Sequence, residues 1–206
     1  MMLKSVRAAA GGAHLLLTLE IREGERVRTE RLLVLLSRMG EVPPVGVLSE
    51  DTYAALLHEA AVTAAIERGL RLFGAASASR AMLVMKLCRR GVEREIACEA
   101  VRELAARGLV DEARGAEAEV KKGIAKHWGD RRIMADLRAK GYGHAALVEA
   151  ARLLGAENEE HRLLSLLAKK PTPTDAHARA RLVASLSRYG YEISMIERLL
   201  GDETWS

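Results

Sequence analysis

One pattern occurs three times in this chain of 206 residues, at nearly constant spacing. It reads Leu83-x-x-x-Leu87-x-x-x-Gly91-Val92, then Ile133-x-x-x-Leu137-x-x-x-Gly141-Tyr142, then Leu182-x-x-x-Leu186-x-x-x-Gly190-Tyr191, with the glycines 50 and 49 residues apart. Self-similarity at a fixed period marks a tandem array, in which each unit buries its apolar face on its neighbours. Apolar residues four apart share one helix face. Each glycine is placed to end its helix in the left-handed conformation that a side chain disfavours. The pattern therefore predicts an all-α array of short helices, two or three to a repeat.

Composition agrees. The chain is 49% hydrophobic but only 3% aromatic, so its core must be built from Leu, Ala, Val, Ile and Met, which suits helices. No apolar run approaches the roughly 18 residues of a membrane span. Gly11, Gly12 and His14 interrupt any secretory signal behind Lys4 and Arg7. Cys88 and Cys98 are too few for a disulfide framework or a zinc site. A reducing, cytoplasmic setting is expected.

Turn and capping signals divide the chain further. Residues 1–47 form an N-terminal extension: a strand over Leu15–Ile21, a turn at Glu23-Gly24, a return over Arg26–Thr29 that makes a β-hairpin, and a short helix over Arg31–Arg38. Pro43-Pro44 stops that helix. Residues 48–76 form a linking helix capped by Ser49, with Tyr53, Leu56, Leu57, Ala60, Ala64 and Leu70 at helical spacing, ended by Gly74. Repeat 1 covers 77–127, repeat 2 covers 128–174 and repeat 3 covers 175–206.

The charge is segregated. Residues 77–94, 121–140 and 176–191 carry net +4, +5 and +3, although the whole chain carries only +4. Basic side chains thus recur at the same element of each repeat, which points to a polyanion or an acidic protein surface as partner. The candidate binding residues are Arg80, Lys86, Arg89 and Arg90, then Lys121, Lys122, Lys126, Arg131, Arg132, Arg138 and Lys140, then Arg179, Arg181 and Arg188. Trp128, Tyr142, Tyr189 and Tyr191 lie among them, available either to stack bases or to pack between repeats. The second helix of each repeat is acidic, with Glu95, Glu99 and Glu103, then Glu149, then Glu192 and Glu197, which disfavours major-groove reading. No metal-ligand spacing, phosphate-binding glycine loop or convergent catalytic set is present among the six histidines and the glycines, so neither an enzyme nor a cofactor or metal is expected.

These residues resemble the RecX family, regulators of the RecA recombinase. The match runs through Ser79-x-x-x-Leu83-x-x-Lys86-Leu87-x-x-Arg90-Gly91, then Ile96 and Leu104, then Gly108-Leu109-Val110-Asp111-Glu112. It continues through Gly129-x-x-Arg132-Ile133-x-x-Asp136-Leu137-x-x-Lys140-Gly141-Tyr142 and ends with Arg181-Leu182-x-x-x-Leu186-x-x-Tyr189-Gly190-Tyr191, Ile196 and Leu200. Gly115-Ala116 stands where the family usually has Phe-Ala, and Met82 stands where an acidic residue is common. The resemblance implies an elongated array of three three-helix repeats, acting as a monomer. It implies binding along RecA filaments on DNA, inhibiting their extension, ATP hydrolysis and strand exchange within DNA repair, homologous recombination and the SOS response. Single- or double-stranded DNA would be held weakly and without sequence preference. Two other readings remain: a tandem helix-turn-helix transcription regulator, and an interaction array unrelated to DNA.

Overall fold

The computed structural model describes residues 1–9, 11–73 and 79–201. Among them it has four strands and nine α-helices, so the chain is mostly helical with an N-terminal antiparallel sheet. The chain divides into two compact units, Met1–Ala75 with Leu83–Leu109, and Ala76–Met82 with Val110–Ser206.

In the first unit, β1 (Met2–Ala8), β2 (His14–Glu23), β3 (Arg26–Leu35) and β4 (Gly46–Val47) form one sheet in the order β3-β2-β1-β4. Alternation makes β2 a strand: Leu15, Leu17, Leu19 and Ile21 are all buried on one face. Gly24, at φ +63°, closes the hairpin between Glu23 and Arg26. One expectation fails here. The helix expected over Arg31–Arg38 is instead the end of β3 followed by a single 3-10 turn, Leu36–Arg38. Pairing with β2 decides it, because Leu32 and Val34 then reach the buried face. The expected hairpin is β2 with β3, and β1 and β4 extend it to a sheet of four.

Helix α1 (Glu50–Phe73) starts at Ser49, whose Oγ accepts from Thr52 N at 3.1 Å. Leu56 packs with Leu3, Leu17, Leu19, Leu32 and Val34, flanked by Tyr53 and Leu57. Full burial of one such leucine is worth about 1.5–3 kcal/mol. Farther along, the buried residues are Val62, Thr63, Ala65 and Ile66, while Ala64 and Leu70 are exposed. The expected single stripe is wrong there because the helix is covered on two sides, by β3 and by α3 (Arg94–Ala106). Gly69 permits that closeness, since a Cβ there would lie 2.7 Å from Leu104 Cδ1. Gly74 lies outside the described residues. Helix α2 (Arg80–Cys88) precedes α3. Arg38, 12% exposed, binds Glu59 at 2.8 Å and Glu99 at 2.5 Å and lies 3.8 Å from Glu103, tying the end of the sheet to α1 and α3.

The second unit contains α4 (Glu112–Ala125), α5 (Asp130–Ala139), α6 (His144–Gly155), α7 (Glu159–Leu167), α8 (Ala176–Arg188) and α9 (Ile193–Leu200). One core cluster joins Ala116 and Val120 to Ile133, Leu137, Tyr142, Ala146, Ala150 and Leu154. A second joins Leu163 and Leu166 to Leu186, Tyr191 and Ile196. The repeated glycines behave alike locally. Gly91, Gly141 and Gly190 have φ of +80°, +70° and +99°. Behind each, a backbone N–H reaches over to the helix carbonyl five residues earlier: Val92 to Leu87, Tyr142 to Leu137, Tyr191 to Leu186.

A joint also recurs. Ser79 Oγ donates to Lys140 O while Arg80 N donates to Glu112 Oε1 at 2.9 Å. At the corresponding place 50 residues later in the sequence, Gly129 N donates to Tyr189 O at 2.8 Å and Asp130 N donates to Glu159 Oε1 at 2.8 Å. In both, a glutamate from the start of a later helix satisfies an orphan N–H at a helix start.

Candidate nucleic-acid interface

The structure sorts the basic residues by what each is already bound to. Lys140 Nζ, only half-exposed, lies 2.5 Å from Glu119 and 2.6 Å from Asp136. Burial works against its charge, yet the two carboxylates outweigh it and raise its pKa. Burial likewise pushes Glu119 upward, and Lys122 and Lys140 more than reverse this, leaving that carboxyl below its ordinary range. Lys122 sits 2.6 Å from Glu119, Lys121 2.6 Å from Glu117, and Arg131 3.1 Å from Glu192. Arg80 is 3.9 Å from Glu112.

Arg132 is held by aromatics. Its guanidinium stands 4.3 Å from the Trp128 ring centre and 5.5 Å from that of Tyr189, and it donates to Arg188 O at 3.3 Å. Lys126 Nζ lies 4.8 Å from the same tryptophan ring. Trp128 and Tyr189 are therefore half-covered by cations, and Tyr142 and Tyr191 are buried in the core. Packing is the role the structure gives these rings. Burial, reinforced by Glu119, pushes the Tyr142 hydroxyl up to about 12.

Arg138, Arg181 and Arg188 are exposed and Arg179 half-exposed, and no carboxylate lies within 4 Å of any of them among the described residues. The same holds for Lys86, Arg89 and Arg90 at the end of α2. Of the fourteen candidates, these seven are the ones with neither a carboxylate nor an aromatic ring against them among the described residues. Sequence reasoning missed Arg68 and Arg71 of α1, which line one pocket with Arg90. Their spacing of three was visible, but they lie outside the repeats.

The acidic second helices are partly used internally. Glu99 and Glu103 bind Arg38, and Glu149 binds Arg152 at 2.6 Å. His58, Glu59 and Glu99 bring ligand atoms within 4.8 Å of one another. Arg38 already occupies both of those carboxylates, so the trio reads as an ion-pair network. A buried polar cluster joins α5, α7 and the α8–α9 turn. Arg162, 7% exposed, donates to Asp130, and Tyr191 Oη donates to His127 O at 2.9 Å. Burial holds the Asp130 and Glu159 carboxyls above their ordinary values. No described helix is long and apolar enough to cross a membrane.

Comparison with known proteins gives this arrangement a family. No protein-family model matches the chain. It is 34% identical over 123 residues to regulatory protein RecX of Pseudomonas savastanoi pv. phaseolicola, covering 59% of this chain and 79% of that one. It is 36% identical over 128 residues to regulatory protein RecX of Mycobacterium ulcerans, covering 59% and 74%. Among solved structures, a crystal structure of regulatory protein RecX superposes with a TM-score of 0.68 at 18% identity, over 98% of this chain and 99% of that one. RecX from Lactobacillus salivarius superposes with a TM-score of 0.55 at 16% identity, over 68% and 96%. These last two bear on the fold; the sequence identities and the coverage of the relatives show that the chain belongs to the RecX family of regulatory proteins.

Proposed function

We propose that this protein regulates the RecA recombinase by binding RecA–DNA filaments, limiting their extension, ATP hydrolysis and strand exchange. The observation that carries the reading is family membership, and the charge distribution supports it. Arg138, Arg179, Arg181 and Arg188, with Lys86, Arg89 and Arg90, make the binding contacts. Lys121, Lys122, Lys126, Arg131, Arg132 and Lys140 contribute less to binding, because their charges are matched locally or stacked on rings. Arg80 shares its charge with Glu112.

The test is RecA-driven ATP hydrolysis on single-stranded DNA, with this protein added well below the recombinase concentration. Strong loss of hydrolysis at such ratios supports filament capping or invasion. Unchanged hydrolysis at equimolar, folded protein refutes the reading.

A further inference from the structure

Arg68 and Arg71 lie three residues apart on α1, and Arg90 follows the last turn of α2. All three are exposed, and together with Leu72 they line one concavity of about 360 Å3. Among the described residues no carboxylate comes within 4 Å of any of the three guanidinium groups. The nearest acid in sequence, Glu67, is directed to His14 at 3.7 Å instead. Two like charges at this helical spacing repel by about 0.2–0.5 kcal/mol, and the third arginine adds to the repulsion. The fold therefore gathers three positive forks around one hollow without an internal counter-ion.

We infer that this hollow is a cradle for a backbone phosphate of a nucleic-acid strand. Each guanidinium is planar and presents paired N–H donors in a fixed fork. A planar carboxylate has room for one or two such forks. A phosphodiester, with anionic oxygens arranged tetrahedrally and further oxygens on the adjoining sugars, can accept from three directions. Leu72 supplies an apolar wall, and Arg90 Nη1 donates to Lys86 O at 3.3 Å, which leaves the rest of that fork for a ligand. The inference deepens the proposed function and rests on it for biological context, since it adds Arg68 and Arg71 to the surface that meets the filament's DNA.

The experiment measures binding of the full chain to a labelled, mixed-sequence single strand by fluorescence anisotropy, without recombinase, across a salt series. The Arg68→Gln/Arg71→Gln/Arg90→Gln variant is compared with Arg22→Gln/Arg26→Gln/Arg28→Gln, which removes the same charge from the hairpin. Circular dichroism checks that both are folded. Each phosphate contact contributes about 0.7 to the slope of log affinity against log salt for single strands. The cradle variant is expected to lose about 0.7 from that slope, the share of the one phosphate it no longer holds, so that its fall in affinity between about 50 and 200 mM salt shrinks by roughly 2.5-fold. The hairpin variant keeps the wild-type slope. An unchanged slope in the cradle variant, or an equal loss in both variants, overturns the inference. So does thermal stabilisation by inorganic phosphate that needs the three arginines while strand binding does not. If the cradle variant loses strand binding but the wild type leaves RecA hydrolysis untouched, the cradle stands and the proposed function falls. If the wild type inhibits RecA and the cradle variant binds DNA normally, the reverse holds.

Discussion

Replacing Gly129 by alanine isolates the repeated joint. Gly129 has φ −73° and ψ 159°, which alanine adopts freely, so the backbone itself raises no objection. The obstacle is space. A Cβ would lie 2.6 Å from Gly190 O and 2.6 Å from Tyr191 N, and closer still to Gly190 C. These are backbone atoms of the α8–α9 turn, so no side chain can swing away. Relief requires the turn to retreat by about 1 Å, stretching the 2.8 Å bond from Gly129 N to Tyr189 O. Overpacking costs about 1–3 kcal/mol, and a weakened hydrogen bond about 1 kcal/mol. Alanine returns about 0.4–1 kcal/mol by restricting the unfolded chain. The net is a destabilisation of about 2 kcal/mol. Gly155→Ala is the control, because its Cβ meets nothing within 4 Å at the end of α6. It should be neutral or stabilising by up to about 1 kcal/mol. Urea denaturation followed by far-ultraviolet circular dichroism and by tryptophan fluorescence reads both. Gly129→Ala within about 0.5 kcal/mol of wild type would refute the close approach.

Other expectations follow from the same geometry. Arg162→Met should cost about 3 kcal/mol by leaving Asp130 without its buried partner, and adding Asp130→Asn should recover part of that loss; both are read by denaturant midpoints. Glu119 is held below its ordinary value, so its contribution is present above the unfolded pKa of about 4.5 and is lost as pH falls through its lowered folded value. Wild type should therefore lose more stability than Glu119→Gln between about pH 5 and 3. Asp130 and Glu159 carry the opposite sign, because burial raises them and their contribution shrinks as pH rises through their folded values. Reversing Arg138, Arg181 and Arg188 to glutamate should weaken inhibition of RecA hydrolysis with the thermal midpoint nearly unchanged. Lys140→Glu should lower the midpoint instead, by setting a third carboxylate beside Glu119 and Asp136.

Much of the helical half was legible because its signals are local. The helices predicted by the three Leu/Ile-x-x-x-Leu-x-x-x-Gly patterns appear as Arg80–Cys88, Asp130–Ala139 and Ala176–Arg188, and the acidic second helices as Arg94–Ala106, His144–Gly155 and Ile193–Leu200. The binding surface was less legible. Sequence showed where the cations are, but an ion pair forms across the chain, as from Arg131 to Glu192 or from Lys140 to Glu119. Only the fold separates a matched charge from an available one. Arg68 and Arg71 gain meaning from Arg90, which is distant in sequence.

The sequence by itself determined the spacing of the repeated pattern, the helix ends at Gly91, Gly141 and Gly190, and the left-handed conformation of those glycines. Each depends on residues within one or two turns of one another, and hydrogen bonds such as Val92 N to Leu87 O close over that range. Tertiary structure decided the rest. The apolar run Leu32–Leu36 suits a helix or a strand equally, and pairing with β2 made most of it strand. Gly91, Gly141 and Gly190 look interchangeable in sequence. Yet a Cβ at Gly91 meets open space, while at Gly141 it lies 2.6 Å from Ala81 Cβ and at Gly190 2.5 Å from Arg132 Cβ. A glycine's conformation is written in its neighbours along the chain, and its indispensability is written in what packs against it.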